Sequence, residues 1–258
     1  MVHESLNSCP PVEKAKIVER LSRIKDKMMA RQSEWDPQKP WLLNAEEEHV
    51  CRPFRAILAT HNPRSQSFVL EGDVIEESHP LWKTDVSQPV VRTPQQICEC
   101  VGPLLRISRR LLFVDPYFRA NQQRYRMLFT ELFELSLRNR TIELTSVEIF
   151  VSTKIDCTEQ FFVEECQQFM PNVIPTGMRV NIGLWSQRDG GEEIHNRYIL
   201  TDRGGVKFGN SLREGETGTT DDINLLSEEQ HKLRFSQYAG PMYGFNQLRL
   251  ITILGMRS

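Results

Sequence analysis

The sequence predicts an α/β protein: a mixed, largely parallel sheet flanked by helices, behind an N-terminal extension of helix and short strands. Three observations carry this. Leu111-Leu112-Phe113-Val114 is short and continuously apolar, as a strand buried on both faces must be. Beyond residue 92 such runs alternate with amphipathic segments longer than ten residues, the pattern of strands joined by crossover helices. The 258 residues, 39% hydrophobic and 9% aromatic, suffice for a packed core.

Residues 11–32 place Val12, Ile17, Leu21, Ile24 and Met28 near helical spacing against a charged face, an amphipathic helix that packs on its own domain or on a partner. A polar connection, W-D-P-Q-K-P-W, leads to strands at Phe54–Ala59 and Ser67–Leu70. Asp73–Arg92, with Pro80 and Pro89, reads as an irregular linker, so an N-terminal extension (1–92) precedes the main domain (93–258). Thr93 is the expected N-cap of a helix with Pro94 at its first position and Ile97, Val101, Leu104, Leu105 and Ile107 on its apolar side. There follow the Leu111–Val114 strand, a helix over 121–138, a strand at Ser146–Ser152, a helix over 158–169 and a strand at Met178–Trp185. A hairpin over 194–209 turns at Arg203-Gly204-Gly205, and a strand and helix occupy 223–238. No internal repeat is found.

A net charge of −2 places any basic binding surface locally rather than over the whole molecule. No apolar run approaches the roughly 20 residues of a membrane span. The N-terminus lacks the pattern of a secretion signal, so a cytoplasmic protein is expected. The six cysteines form no CxxC pair and are expected as reduced thiols, and no metal-ligand cluster appears; no cofactor is expected.

The chemistry concentrates in E-I-H-N-R-Y-I-L-T-D-R-G-G-V-K-F-G-N-S-L, residues 193–212. It places His195, Arg197 and Asp202 on one hairpin. A histidine can attack phosphorus, provided that its ring is oriented, cations meet the developing charge, and an acid protonates the leaving oxygen. Cationic side chains can do that stabilisation without a metal. Asp115 ends an apolar strand, where α/β sheets place ligand-binding groups. Beside it, Tyr117, Phe118 and Tyr125 could stack bases, Phe118 being the one expected in the core. Arg106, Arg109, Arg110, Arg119, Arg124 and Arg126 bracket this strand, as a solvated helix face or a phosphate-tracking surface. Tyr198 and Tyr243 could line a pocket; His231 reads as solvent-facing.

His195-x-Arg197-x4-Asp202-x6-Gly209 resembles the signature of the phospholipase D superfamily, H-x-K-x4-D followed by x6 and G-S-x-N. Asp115-Pro116-Tyr117-Phe118 resembles the opening strand of bacterial single-motif branches. The resemblance covers roughly residues 95–240. It implies a phospholipase D-like sheet, His195 as nucleophile or its acid partner, Arg197 gripping the phosphate, and Asp202 orienting the histidine. Asn210 or Ser211 would donate to a phosphate oxygen, with Asp115 and Tyr117 beside the substrate; Asp221 and Asp222 stand near the distance of a further carboxylate. Arginine replaces the family's lysine, and Asn210 and Leu212 stand where Ser and Asn are usual. One motif implies a homodimer that completes the site. The implied activity is a metal-independent phosphodiesterase, foremost a nuclease on DNA or RNA in a defence setting, with residues 1–92 serving recognition or a partner protein. The alternatives are a catalytically silent module binding nucleic acid, phosphates or a partner, and a lipid phosphodiesterase.

Overall fold

The computed structural model describes residues 10–25, 28, 34–76, 78–83, 86–140, 142–239 and 244–258. The chain divides into two units, Met1–Ser33 and Glu34–Ser258. In the first, the amphipathic pattern forms helix α1 (Pro11–Lys25), with Glu13 in the first turn, where the helix dipole favours an acid. The rest of the expected helix, Met28 excepted, lies outside the described residues, as does Tyr243.

The second unit opens with helix α2 (Trp41–Cys51) and a parallel pair of short strands, β1 (Ile57–Ala59) and β2 (Val69–Glu71). Helix α2 was not among the expected elements. It buries Asn44 and Glu46 instead of an apolar stripe: Asn44 exchanges hydrogen bonds with the backbone of Asp36, and Glu46 meets Arg64.

The remaining elements are β3 (Ser87–Val91), α3 (Pro94–Arg106), β4 (Arg110–Val114), α4 (Gln123–Leu137), β5 (Ser146–Ser152), α5 (Glu159–Phe169), β6 (Arg179–Ser186), β7 (Arg197–Thr201), β8 (Gly205–Phe208), β9 (Thr220–Leu225), α6 (Glu228–Ala239) and β10 (Asn246–Leu254). Eight strands form one sheet in the order β10-β6-β5-β4-β7-β8-β9-β3. The fold is α/β with a mixed sheet. It is not largely parallel as expected: β4–β5 and β5–β6 are parallel, and the other five pairings are antiparallel. The reason lies in the connections. A parallel neighbour needs a crossover, usually a helix. Only α4 and α5 supply one; β7, β8 and β9 follow one another as a meander.

The linker reading of 73–92 is corrected as well. Its last residues form β3, which pairs antiparallel with β9, Val91 opposite Thr220. The main sheet therefore begins before the division expected between residues 92 and 93. Pro89, which cannot donate to a ladder, is tolerated because β3 is an edge strand.

The caps behave as the sequence dictates. Thr93 Oγ1 accepts from the Gln96 N–H at 3.3 Å and Pro94 opens α3; Thr158 Oγ1 accepts from Phe161 N–H at 3.2 Å ahead of α5. One face of the sheet packs on α3, α4 and α5 through Val101, Leu105, Phe129, Phe133 and Phe162. The other packs on α6 through Phe150, Trp185, Tyr198, Tyr238 and Phe245. Strand β7 serves both cores, Ile199 facing the first and Tyr198 and Leu200 the second. Each buried Phe or Leu contributes on the order of 1.5–3 kcal/mol.

This topology locates a crevice. From β4 the chain winds to one side through β5 and β6, then returns to the other side of β4 as β7. Such a switch point leaves an opening beyond the carboxyl end of the central strand. Asp115 follows β4 directly at that end.

Candidate functional site

Asp115 is wholly buried, and its carboxylate ties together the two loops that flank the switch point. Oδ1 accepts from the Tyr117 N–H at 2.9 Å, fixing the loop after β4. Oδ2 accepts from the Leu212 N–H at 2.6 Å, fixing the loop after β8. Burial pushes its carboxyl above the usual range; the two amides and the charges of Arg197 and Arg213 pull the other way.

A second buried carboxylate, Asp221 on β9, holds the start of the same loop. Its two oxygens accept from the Gly209 and Asn210 N–H groups, each at 3.0 Å. Gly209 is required there, since a Cβ would stand 2.7 Å from Asp221 Oδ1. Asp222, on the opposite face of β9, is exposed. The segment 209–212 is thus held by side-chain acceptors at three of its amides.

Above this floor lies a cleft of about 330 Å³, lined by Arg92, Tyr117, Gln122, Tyr125, Arg197, Asn210, Ser211 and Arg213. Arg197 opens β7, with its guanidinium 5.0 Å from the centre of the Tyr117 ring. Its Nε is buried and has no hydrogen-bond partner. Arg92, just beyond β3, donates from Nη2 to the Ser211 and Arg213 carbonyls at 2.8 and 3.1 Å; burial lowers its pKa. Arg213 Nη1 reaches Gln122 Oε1 at 3.4 Å.

Several arginines elsewhere are matched. Arg119 pairs with Glu165, Arg110 with Glu148, Arg124 with Glu216, Arg234 with Glu192 and Arg257 with Glu134. Arg126 and Arg140 donate to backbone carbonyls. Of the six arginines that bracket β4, three are ion-paired and Arg126 is turned to the main chain, whereas Arg106 and Arg109 have no ion pair among the described residues. The three cleft arginines also have no carboxylate within ion-pairing distance among the described residues. A concave site lined by three arginines without carboxylate partners is suited to an anion, and guanidinium forks suit phosphate oxygens.

The expected site residues separate into two groups. Arg197, Asn210, Ser211 and Tyr117 line the cleft, whereas Asp115, expected beside the substrate, is buried beneath it with both oxygens taken by backbone amides. His195 lies on the approach to β7, exposed and outside the cleft lining, and makes no hydrogen bond among the described residues. Its charged neighbour is Glu193, whose carboxyl is lowered first by a hydrogen bond from Lys154 and to a lesser extent by His195. Asp202 is at the other end of β7, about 16 Å from Arg197 at the rise of an extended strand. It does not orient His195. Its Oδ1 accepts from the Arg109 and Arg110 N–H groups at 2.7 and 3.0 Å, anchoring the start of β4. Accordingly, Asp202→Ala is expected to cost about 1–3 kcal/mol in urea unfolding while leaving ligand affinity unchanged. A loss of affinity without a loss of stability would return Asp202 to the site.

Other readings are corrected similarly. His231 is half-buried, with Nε2 2.8 Å from the Thr201 carbonyl oxygen. Tyr198 is buried in the α6-side core rather than lining the cleft. Phe118 is buried as expected; Tyr125 is buried too, its hydroxyl donating to the Tyr117 carbonyl at 2.9 Å. Arg92, Gln122 and Arg213 were missed. Arg213 directly follows the motif's loop and could have been found by extending it. Arg92 carries no local signal, being 119 residues from its partner Ser211.

No helix among the described residues is long and apolar enough to cross a membrane, and no group of three or more His, Cys, Asp and Glu poised for a metal occurs among them. No family model matches the chain, and no curated protein does. Among solved structures it is similar to that of TrmBL2, described as an archaeal chromatin protein with a novel mode of DNA binding. The alignment covers 93% of this chain and 72% of that one at 11% identity, with a TM-score of 0.31, too low to weigh on fold or function.

Proposed function

We propose that the cleft binds a phosphate group, foremost that of a nucleic acid, and that the protein is a phosphate-recognition module. The observation that supports this is the convergence of Arg92, Arg197 and Arg213, without carboxylate partners, on a pocket where Arg197 keeps a buried, unpartnered Nε. Asn210 and Ser211 add neutral donors along the wall. The resemblance to the phospholipase D signature agrees, Arg197 standing at its phosphate-gripping position.

A second reading is hydrolysis of a phosphodiester with His195 as nucleophile and a homodimer completing the site. It is favoured by the placement of His195 two residues from Arg197 at the same end of β7. It lacks the oriented imidazole that such an attack needs, since Asp202 is engaged elsewhere.

The readings part on one assay. Plasmid and single-stranded oligonucleotides are incubated with the protein in EDTA, and binding is followed in parallel. Binding without cleavage, lost in Arg197→Ala, is the expected result. Cleavage that survives EDTA and disappears in His195→Ala, from a species of dimeric mass, would establish the second reading instead.

A further inference from the structure

We infer that the ligand is a single strand of nucleic acid, laid so that one phosphate enters the arginine cleft and the neighbouring base stacks on Tyr117. This rests on the phosphate-binding reading of that cleft.

Tyr117 is the exposed aromatic of the site, at 41%, whereas Phe118 and Tyr125 beside it are buried. Its backbone is held at both ends: the N–H donates to Asp115, and the carbonyl accepts from the Tyr125 hydroxyl. The ring is thus presented from a fixed main chain instead of a mobile loop. One side of it carries the Arg197 guanidinium. A cation beside an aromatic platform, next to a phosphate pocket, is the combination that recognises unpaired nucleotides, because every base offers a π-face.

Duplex DNA fits this arrangement poorly. Its bases are already stacked on one another, and freeing one costs a few kcal/mol by general estimate. The cleft, at about 330 Å³ and closed below by the loop that Asp115 pins, has room for a phosphate and its sugar. A lipid surface fits poorly too. No leucine, isoleucine, valine or phenylalanine lines the cleft, so nothing there would enter an acyl layer. The positive charge is local, within a chain of net charge −2, and accords with a contact of one or two phosphates rather than a long electrostatic track.

The test measures fluorescence anisotropy of one labelled 12-nucleotide strand, alone and annealed to its complement, with the full chain in EDTA. Thermal shift with inorganic phosphate runs beside it. The single strand is expected to bind at least tenfold more tightly than the duplex. Tyr117→Leu is expected to weaken the single strand on the order of tenfold, and Tyr117→Phe to restore it. Equal binding of duplex, no effect of Tyr117→Leu, or preferential binding of vesicles containing phosphatidic acid would each overturn the inference. If phosphate raises the melting temperature in the wild type and not in Arg197→Ala, yet neither oligonucleotide binds, the phosphate reading stands and the single-strand inference falls. If phosphate produces no shift in the wild type, both fall.

Discussion

Arg197→Ala is expected to lower affinity for a phosphate ligand by roughly 10- to 150-fold, the worth of a charge-assisted hydrogen-bonding group, while costing the fold little stability. The two effects separate for a structural reason. The buried Nε of Arg197 has no partner, so truncation orphans no acceptor. What the fold loses is the contact of the guanidinium with the Tyr117 ring, worth about 0.5–1 kcal/mol, and a positive charge that favours the ionised form of the buried Asp115 carboxyl. Relief from burying an unpaired donor offsets that loss. Arg197→Lys should fall between, since it keeps the charge and gives up the planar fork. Calorimetric titration with phosphate and urea unfolding of the same variants check both halves. A variant that binds as the wild type does would remove Arg197 from the site, and one that unfolds would make its role structural.

Asp115→Ala should have the larger effect on stability, about 3–5 kcal/mol, because it leaves the buried Leu212 amide and the part-buried Tyr117 amide without acceptors and opens a cavity at a wholly buried position. The pH dependence has a definite sign. Burial raises the folded carboxyl above its unfolded value, near 4. The native state therefore holds this proton to higher pH than the unfolded chain does. Asp115 contributes most to stability below the ordinary carboxylate range, and part of that contribution is lost as pH rises through the folded value. The stability gap between wild type and Asp115→Asn, measured by urea unfolding from pH 4 to pH 8, should narrow upward. A gap that widens would mean that the amides and arginines outweigh burial.

These two residues also show where sequence reading reached and where it stopped. Asp115 was legible because β4 is continuously apolar and ends on a carboxylate, and strand ends in α/β sheets are where ligands meet the chain. Arg197 was legible from the spacing of the motif around it. Asp202 was misread for the same reason: spacing gives a position along the strand but not which end of it faces the cleft. The meander after β6 was placed in sequence, yet its antiparallel pairing, which makes the sheet mixed, depends on partners far apart in the chain. Strand β10 escaped notice although Leu250-Ile251-Thr252-Ile253-Leu254 alternates exposed and buried positions along a β ladder with β6. Helix α2 could not be read by periodicity, since what it buries is polar.

The position of Arg92 has a consequence for dynamics. It follows β3, the outermost strand on its side of the sheet, and edge strands detach in local openings that leave the rest folded. Whenever β3 lifts from β9, the cleft loses one of its three cations and the Ser211 and Arg213 carbonyls lose their donor. Ligand binding and β3 docking are then a single linked equilibrium. Phosphate should slow amide exchange along β3 far more than in β4 or β5, so that a strand at the sheet's edge reports occupancy most directly.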